Sequence, residues 1–351
     1  MPPATPLAVP STTPAVPANA RVLSGLRPTG KIHIGHLVGA LANWIELQKK
    51  YNCYFFVADW HALTTHYADT SGLQQFILDS VTDYLAVGVD PAKAVIFQQS
   101  RVPEHAELHL LLSLITPLGW LERTPTYKEQ RENIQDKDLG TYGFLGYPVL
   151  QSADILIYKA GFVPVGADQV AHIELTREIC RRFANFYGPV FPEPQPLLTP
   201  TPRLLGTDGR KMSKSYGNAI FLSDTETEIR SKVSNMLTDP ARQRRTDPGN
   251  PDVCPVFGLH KLCSPQETID TVNTECRRAG IGCVDCKKQM AGNLAQWIAP
   301  FTERRSKIEQ QPDQVWDVLE QGSKKAHITA AATMEEVRAA MNLKQPSLLH
   351  S

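Results

Sequence analysis

The sequence carries no excess of charge of either sign: 36 lysines and arginines are matched by 36 aspartates and glutamates. That excludes a uniformly basic nucleic-acid binder, so any contact with a polyanion must come from local basic patches. Nor is there an uncharged apolar run of about 18 residues, the length a membrane-spanning helix needs; no membrane partner is expected. A basic segment followed by an apolar stretch is missing from the start of the chain, which argues against a signal peptide. Cysteines are few, seven in 351 residues with four clustered late. That usage suits a reducing compartment and a metal better than a disulfide framework, and points to the cytoplasm. Internal repeats are absent.

What remains is enough for two domains, and a hydrophobic content of 42% allows a sizeable buried core. Residues 1–20 are mostly Pro, Ala, Thr and Val and read as a disordered leader. Arg21 to Leu26 is a short apolar segment ending in Arg27-Pro28-Thr29-Gly30, a strand running into a tight turn. Cys53 to Ala58 reads as a buried parallel strand, Leu73 to Val87 as a helix, and Ala94 to Gln98 and Phe162 to Gly166 as further strands. This alternation predicts an α/β fold with a doubly wound parallel sheet over 21–222. Pro189 to Pro202 reads as a proline-rich connector. Beyond Leu222 strand signals stop, so 223–343 is expected to form a small all-helical domain, with a polar tail at 344–351.

Two short strings stand out. His33-Ile34-Gly35-His36 follows a strand and opens a helix; Lys211-Met212-Ser213-Lys214-Ser215 sits on a loop flanked by Gly206, Gly209 and Gly217. A helix N-terminus offers free N–H groups and a positive dipole end to phosphate. Gly35 permits close backbone approach, and His36 can donate a hydrogen bond to phosphate or ribose. Lysines on a glycine-hinged loop can swing onto phosphates as charge builds there. Either string alone is more often an ordinary turn or a solvated basic loop. Together, in this order, they match the two ATP-binding signatures of class I aminoacyl-tRNA synthetases, which the chain resembles from about Arg21 to Leu343. The resemblance implies a Rossmann-like catalytic domain using ATP with Mg²⁺, and His33, His36, Lys211 and Lys214 as catalytic residues. It places Arg27, Pro28, Thr29, Gly35, His36, Gly166, Ala167, Asp168, Lys211, Met212, Ser213, Lys214 and Ser215 around the nucleotide.

Longer strings are similar to the bacterial-type tryptophanyl-tRNA synthetases: Ser24 to Gly30, Tyr147 to Leu156, Val163 to Gln169 and His172 to Arg177. That likeness implies L-tryptophan and tRNA(Trp) as partners, no DNA, and a homodimer with each tRNA spanning both subunits. By it, Asp154 accepts a hydrogen bond from the indole N–H, Gln169 helps hold the α-amino group, and Gly25 and Gln151 complete the amino-acid site. A buried acceptor is left unpaired by phenylalanine or leucine, which is worth about 10⁴–10⁵ in discrimination. Two residues depart from the pattern. Tyr147, Gln151 and Asp154 reproduce the Tyr-x₃-Gln-x₂-Asp spacing of tyrosyl-tRNA synthetases, and Ala167 stands where an acidic residue is common. Tyrosine therefore stays open as the amino acid, as does a synthetase-like paralogue serving a regulatory or biosynthetic partner.

Cys254, Cys276, Cys283 and Cys286 form C-x₂₁-C-x₆-C-x₂-C. The last pair has the spacing of a metal-binding turn, which leaves zinc, an iron–sulfur cluster and an empty site open. A subset of tryptophanyl enzymes ends in the same Gly-Cys-Val-Asp-Cys-Lys-Lys string, and the resemblance favours a [4Fe–4S] cluster. Arg242, Arg244 and Arg245, then Arg277-Arg278, Arg304-Arg305 and Lys324-Lys325, are local basic runs. They read equally as tRNA phosphate contacts or as solvated helix faces.

Overall fold

Parallel strands bury both faces, so they need helices above and below. A computed structural model describes residues 20–124, 140–198 and 204–343; residues 1–19 of the expected leader and the expected tail lie outside them. Within the described residues the sheet consists of β1 (Arg21–Leu26), β2 (Asn52–Val57), β3 (Ala94–Gln98), β4 (Phe162–Val165) and β5 (Gln195–Leu198). They run parallel in the order β3-β2-β1-β4-β5. The first four match the apolar runs of the sequence. β5 falls inside the stretch expected to be a connector. Its Pro196 has no N–H to give, which an edge strand tolerates.

The strand order reverses between β1 and β4, where the ladder is confined to Val22 against Phe162. Their carboxyl ends are thus free to open a crevice, the place where open α/β sheets bind ligands.

Helices α1 (Ile34–His36), α2 (Ala42–Leu47), α3 (Asp59–His66) and α4 (Leu73–Val87) precede β3. Between β3 and β5 lie α5 (Glu104–Ser113), α6 (Leu118–Glu122), α7 (Tyr142–Ile157) and α8 (Val170–Tyr187). After β5 come α9 (Glu226–Ser234), α10 (Pro255–Cys263), α11 (Gln266–Arg277), α12 (Cys283–Glu309) and α13 (Pro312–Ala340). Adjacent strand residues go to opposite faces: Val22 and Phe55 join one apolar layer with Trp44 and Tyr84, while Leu23 and Phe56 join the other with Val149 and Phe183. The late helices feed both layers, α12 through Leu294 and Ile298, α13 through Val315 on one side and Ala330 and Met334 on the other. Each Leu, Ile, Val or Met side chain among these, fully buried, contributes about 1.5–3 kcal/mol. At Gly322, α13 approaches β3 so closely that a Cβ would run into the Ile96 carbonyl. The open edge of β3 is thereby covered by helix rather than left to pair with another chain.

Candidate active site

The turn after β1 and the lysine loop meet. The Ile34 N–H donates to Ile220 O at 2.9 Å, the Leu222 N–H donates to Ile32 O at 3.0 Å, and His33 bridges Phe221 in antiparallel fashion. From the loop, Lys214 Nζ donates to Gly30 O at 2.7 Å and to Thr29 Oγ1 at 3.2 Å. Gly30 adopts a positive φ of 94°, open to glycine for want of a Cβ, and its carbonyl in this turn meets the lysine. Met212 is buried with its sulfur 3.9 Å from where a Cβ on Gly35 would stand. A larger residue than glycine there would also press on the His33 ring at 2.9 Å. Pro28 is buried and Arg27 exposed at the carboxyl end of β1, while Lys211 is exposed on the loop.

The loop is braced internally by Asn218, whose Oδ1 accepts from the Ser213 N–H at 2.8 Å while its Nδ2 donates to Asp208 Oδ1 at 2.6 Å and Lys211 O at 3.2 Å. Gly206 has no room for a side chain, because a Cβ would lie 2.7 Å from Asn218 O. Neither Asn218 nor Asp208 stands out as a site residue in the sequence.

His33 and His36 stack with ring centroids 3.8 Å apart, and the Nδ1 atom of each is buried without a protein partner. Burial, with Lys214 nearby, lowers His33 to about 4. Burial, then His33, Lys214 and Lys211, push His36 well below the ordinary histidine range. Both rings are neutral at physiological pH and can offer N–H groups to phosphate without carrying charge of their own. Lys214 is lowered by burial to about 8, against the pull of Asp83 and Asp79.

At the carboxyl end of β4, Gly166 caps a 3₁₀ turn formed by Ala167–Gln169. The side chains of Asp168 and Ser215 lie outside the described residues. Gly25 is in β1, and a Cβ there would stand 2.5 Å from the Phe56 ring. Gln151 is half-buried on α7, one turn before Asp154. Gln169 Oε1 accepts from His172 Nδ1 at 2.9 Å, and His172 Nε2 lies 3.3 Å from Tyr147 Oη, so α7 and α8 are cross-linked beside the crevice.

Asp154 is buried to 1% exposure and accepts from three side chains. His105 Nδ1 donates to Oδ1 at 2.6 Å, His61 Nε2 to Oδ2 at 2.8 Å, and Gln99 Nε2 to both oxygens at 2.8 and 3.0 Å. Behind it, His105 Nε2 meets Tyr158 Oη at 2.7 Å. Burial alone would raise this carboxyl; the hydrogen bonds from His105 and His61 outweigh it and hold the group below the carboxylate range. Asp154 is an anion, then, and its four lone-pair positions are in use. The sequence singled out Asp154 but not its neighbours: His61, Gln99 and His105 come from three other elements and share no string, while Tyr158 caps the helix that carries Asp154.

Among the described residues no group of three or more His, Cys, Asp or Glu is placed to hold a metal ion. Cys254, Cys276, Cys283 and Cys286 stand near enough to influence one another, and burial first, then their mutual repulsion, raises Cys286 to about 12. Two of them have protein neighbours: Arg242 Nη1 donates to Cys276 Sγ at 3.8 Å, and His260 Nε2 lies 3.5 Å from Cys286 Sγ. The basic runs are also not all surface. Arg242 is buried, with Nη2 donating to Arg245 O and Ile281 O at 3.0 and 2.8 Å, and Arg305 is buried in an ion pair.

Comparison with known proteins agrees with this geometry. A family profile described as tRNA synthetases class I (W and Y) matches residues 17–298. The tryptophan–tRNA ligase of Thermotoga maritima is 58% identical over 325 residues, covering 92% of this chain and 99% of that protein. That of Aquifex aeolicus is 44% identical, covering 92% and 100%. The solved tryptophanyl-tRNA synthetase from Campylobacter jejuni, complexed with ADP and tryptophan, is 31% identical with a TM-score of 0.83, covering 92% of this chain and 99% of that one. With its two signatures joined at the switch point of a parallel sheet, the chain belongs to the class I tRNA synthetases of the tryptophan and tyrosine family.

Proposed function

We infer that the chain is a tryptophan–tRNA ligase, forming tryptophanyl-adenylate from L-tryptophan and ATP and passing the aminoacyl group to tRNA(Trp). The observation that carries this reading is the docking of Lys214 onto Gly30, beside the stacked His33 and His36, at the carboxyl end of the sheet. In the first step a tryptophan carboxylate oxygen bonds to the α-phosphorus as the bond from that phosphorus to pyrophosphate breaks. The nucleophile is already an anion, so no base is needed. What the protein supplies is position and charge. Lys214 exchanges its present contacts for phosphate oxygens, the exposed Lys211 joins it, and the neutral His33 and His36 offer ring N–H groups. The Arg27–Thr29 turn, Met212, Ser213 and the Gly166–Asp168 turn complete the nucleotide site. Mg²⁺ bound to the triphosphate would supply neutralising charge there. In the second step a terminal ribose hydroxyl of tRNA attacks the tryptophan carbonyl and AMP departs.

Asp154 is the proposed acceptor for the indole N–H, with Gly25, Gln151 and Gln169 around it. Both of its oxygens already accept hydrogen bonds, and of the donors His61 is 12% exposed while His105 is at 0%. The indole therefore reaches Asp154 by taking the bond that His61 now makes. We expect tryptophan-dependent ATP–pyrophosphate exchange, followed by charging of tRNA(Trp). Exchange without charging would favour a paralogue outside translation; charging with tyrosine would replace the substrate.

The helical part over 223–343 is proposed to meet tRNA, supported by exposed Arg244, Arg245, Arg277 and Arg278 around the cysteines. On the resemblance of the cysteine string we also propose a [4Fe–4S] cluster on Cys254, Cys276, Cys283 and Cys286. The donor set suits it, whereas the placement described above is not yet a closed ligand set, so no reaction step runs through it. Protein purified without oxygen is expected to be brown with iron and sulfide bound; a colourless protein with stoichiometric zinc overturns the cluster.

A further inference from the structure

Arg305 lies on α12 with its side chain 3% exposed, enclosed by protein rather than open to solvent. Its guanidinium is divided among three carboxylates. Nε donates to Asp83 Oδ1 at 2.7 Å, Nη2 donates to Asp79 Oδ1 at 3.0 Å, and Nη1 pairs with Glu309. Asp79 and Asp83 stand one turn apart on α4, where like charges repel. The other oxygen of Asp83, Oδ2, accepts from the Ile32 N–H at 2.8 Å. Ile32 is the residue before His33, and its own carbonyl receives the Leu222 N–H from the chain leaving the lysine loop. Neighbours on α12 fasten the same pieces: Arg304 Nε donates to Ala86 O at 2.6 Å and Thr302 Oγ1 to Leu222 O at 2.9 Å.

We propose that Arg305 is a positioning residue for the nucleotide turn, holding Asp83 as the acceptor for Ile32 and keeping Asp79 and Asp83 from competing with phosphate for Lys214. The proposal rests on the reading of the Gly30–His36 turn and Lys214 as the ATP site. Removing one partner of a buried ion pair leaves an uncompensated charge that the surroundings must accommodate. Lys214 is the cation at hand, since it touches Gly30 and both carboxylates raise its pKa against burial. Without Arg305 the two carboxylates would retain Lys214 or take up a proton, and Asp83 would loosen its hold on Ile32. In either case the nucleotide turn shifts while the tryptophan side, built on α5 and α7, is left as it was. The same bonds tie the helical part of the chain directly to the ATP turn.

The test is steady-state pyrophosphate exchange on the full chain, varying ATP and tryptophan separately, for wild type, Arg305→Gln, Asp83→Asn and the double variant. Arg305→Gln is expected to lower kcat/KM for ATP by about tenfold to a hundredfold, with KM for tryptophan changed by less than about twofold. Asp83→Asn keeps an oxygen for the Ile32 N–H yet needs no counter-charge. In that background Arg305→Gln should cost less than about threefold, a coupling that a merely structural pair acting through overall stability would not confine to ATP. An unchanged kcat/KM for ATP, equal losses for both substrates, or additive losses in the double variant would each overturn the proposal. Should Arg305→Gln fail to fold, Arg305→Lys retains the charge without the fork, and the same split between substrates is read from it and from the double variant. Failure of the underlying reading has a different signature. Normal ATP kinetics in Lys214→Met would remove the ATP site itself, whereas normal kinetics in Arg305→Gln beside a crippled Lys214→Met removes only this role of Arg305.

Discussion

Lys214→Met is expected to lower kcat for tryptophan-dependent pyrophosphate exchange by about 10²–10³, the usual loss when one preorganised donor to a developing charge is removed. Methionine keeps much of the length and apolar stem of lysine but offers nothing to phosphate. The bonds it gives up in the free protein, to Gly30 O and Thr29 Oγ1, are ones Lys214 must release to reach ATP. A pH profile gives a second test. Burial lowers the Lys214 ammonium to about 8 in the free protein, and kcat/KM reports the free enzyme. Below that pH the group is charged and competent; above it the proton is lost. kcat/KM for ATP should therefore fall as pH rises through about 8. His33, near 4, and His36, well below its ordinary range, contribute no alkaline limb. In Lys214→Arg the side chain stays charged and this fall should move out of range. A wild-type profile flat through pH about 8 would show that Lys214 is not the titrating group.

Asp154→Ala is expected to abolish the preference for tryptophan. A site built to bond a substrate N–H discriminates against ligands lacking it by about 10⁴–10⁵, because its own polar groups are otherwise left unpaired. In wild type, tryptophan should stimulate exchange and tyrosine barely do so; in the variant the two should converge at a low rate. The same change leaves the buried His105 and Gln99 without their acceptor, at about 1–3 kcal/mol for each unpaired donor. Chemical unfolding should register that loss independently of catalysis. A variant that retained the wild-type ratio of tryptophan to tyrosine would sink the assignment of Asp154.

Much of this was legible in local spacing. The strands at Arg21, Ala94 and Phe162 were short apolar segments and that at Cys53 a continuous apolar run, and continuous burial on both faces is what a central parallel strand needs. The signatures at His33 and Lys211 were legible because the demands of phosphate on glycine, backbone N–H and lysine fall on neighbouring residues. β5 was hidden by Pro196, which reads as a connector unless its position at the sheet edge is known. The partners of Asp154 were hidden for a different reason. His61, Gln99 and His105 lie 93, 55 and 49 residues from it, and nothing in their own neighbourhoods marks them.

By itself the sequence determined which chemical groups were available, where the chain could run as strand or helix, and that two stretches suited to a triphosphate existed. Only the tertiary structure decided which charges were free to act. In the sequence Arg242 looks like its neighbour Arg244 and Arg305 like Arg304, but Arg242 and Arg305 are buried against protein acceptors and cannot reach a tRNA phosphate. Whether a carboxylate is ionised, or a lysine available, is set by burial and by partners that folding brings from hundreds of residues away. Such energies depend on distance through space and on the dielectric between groups, and neither is written in the spacing of residues along a chain.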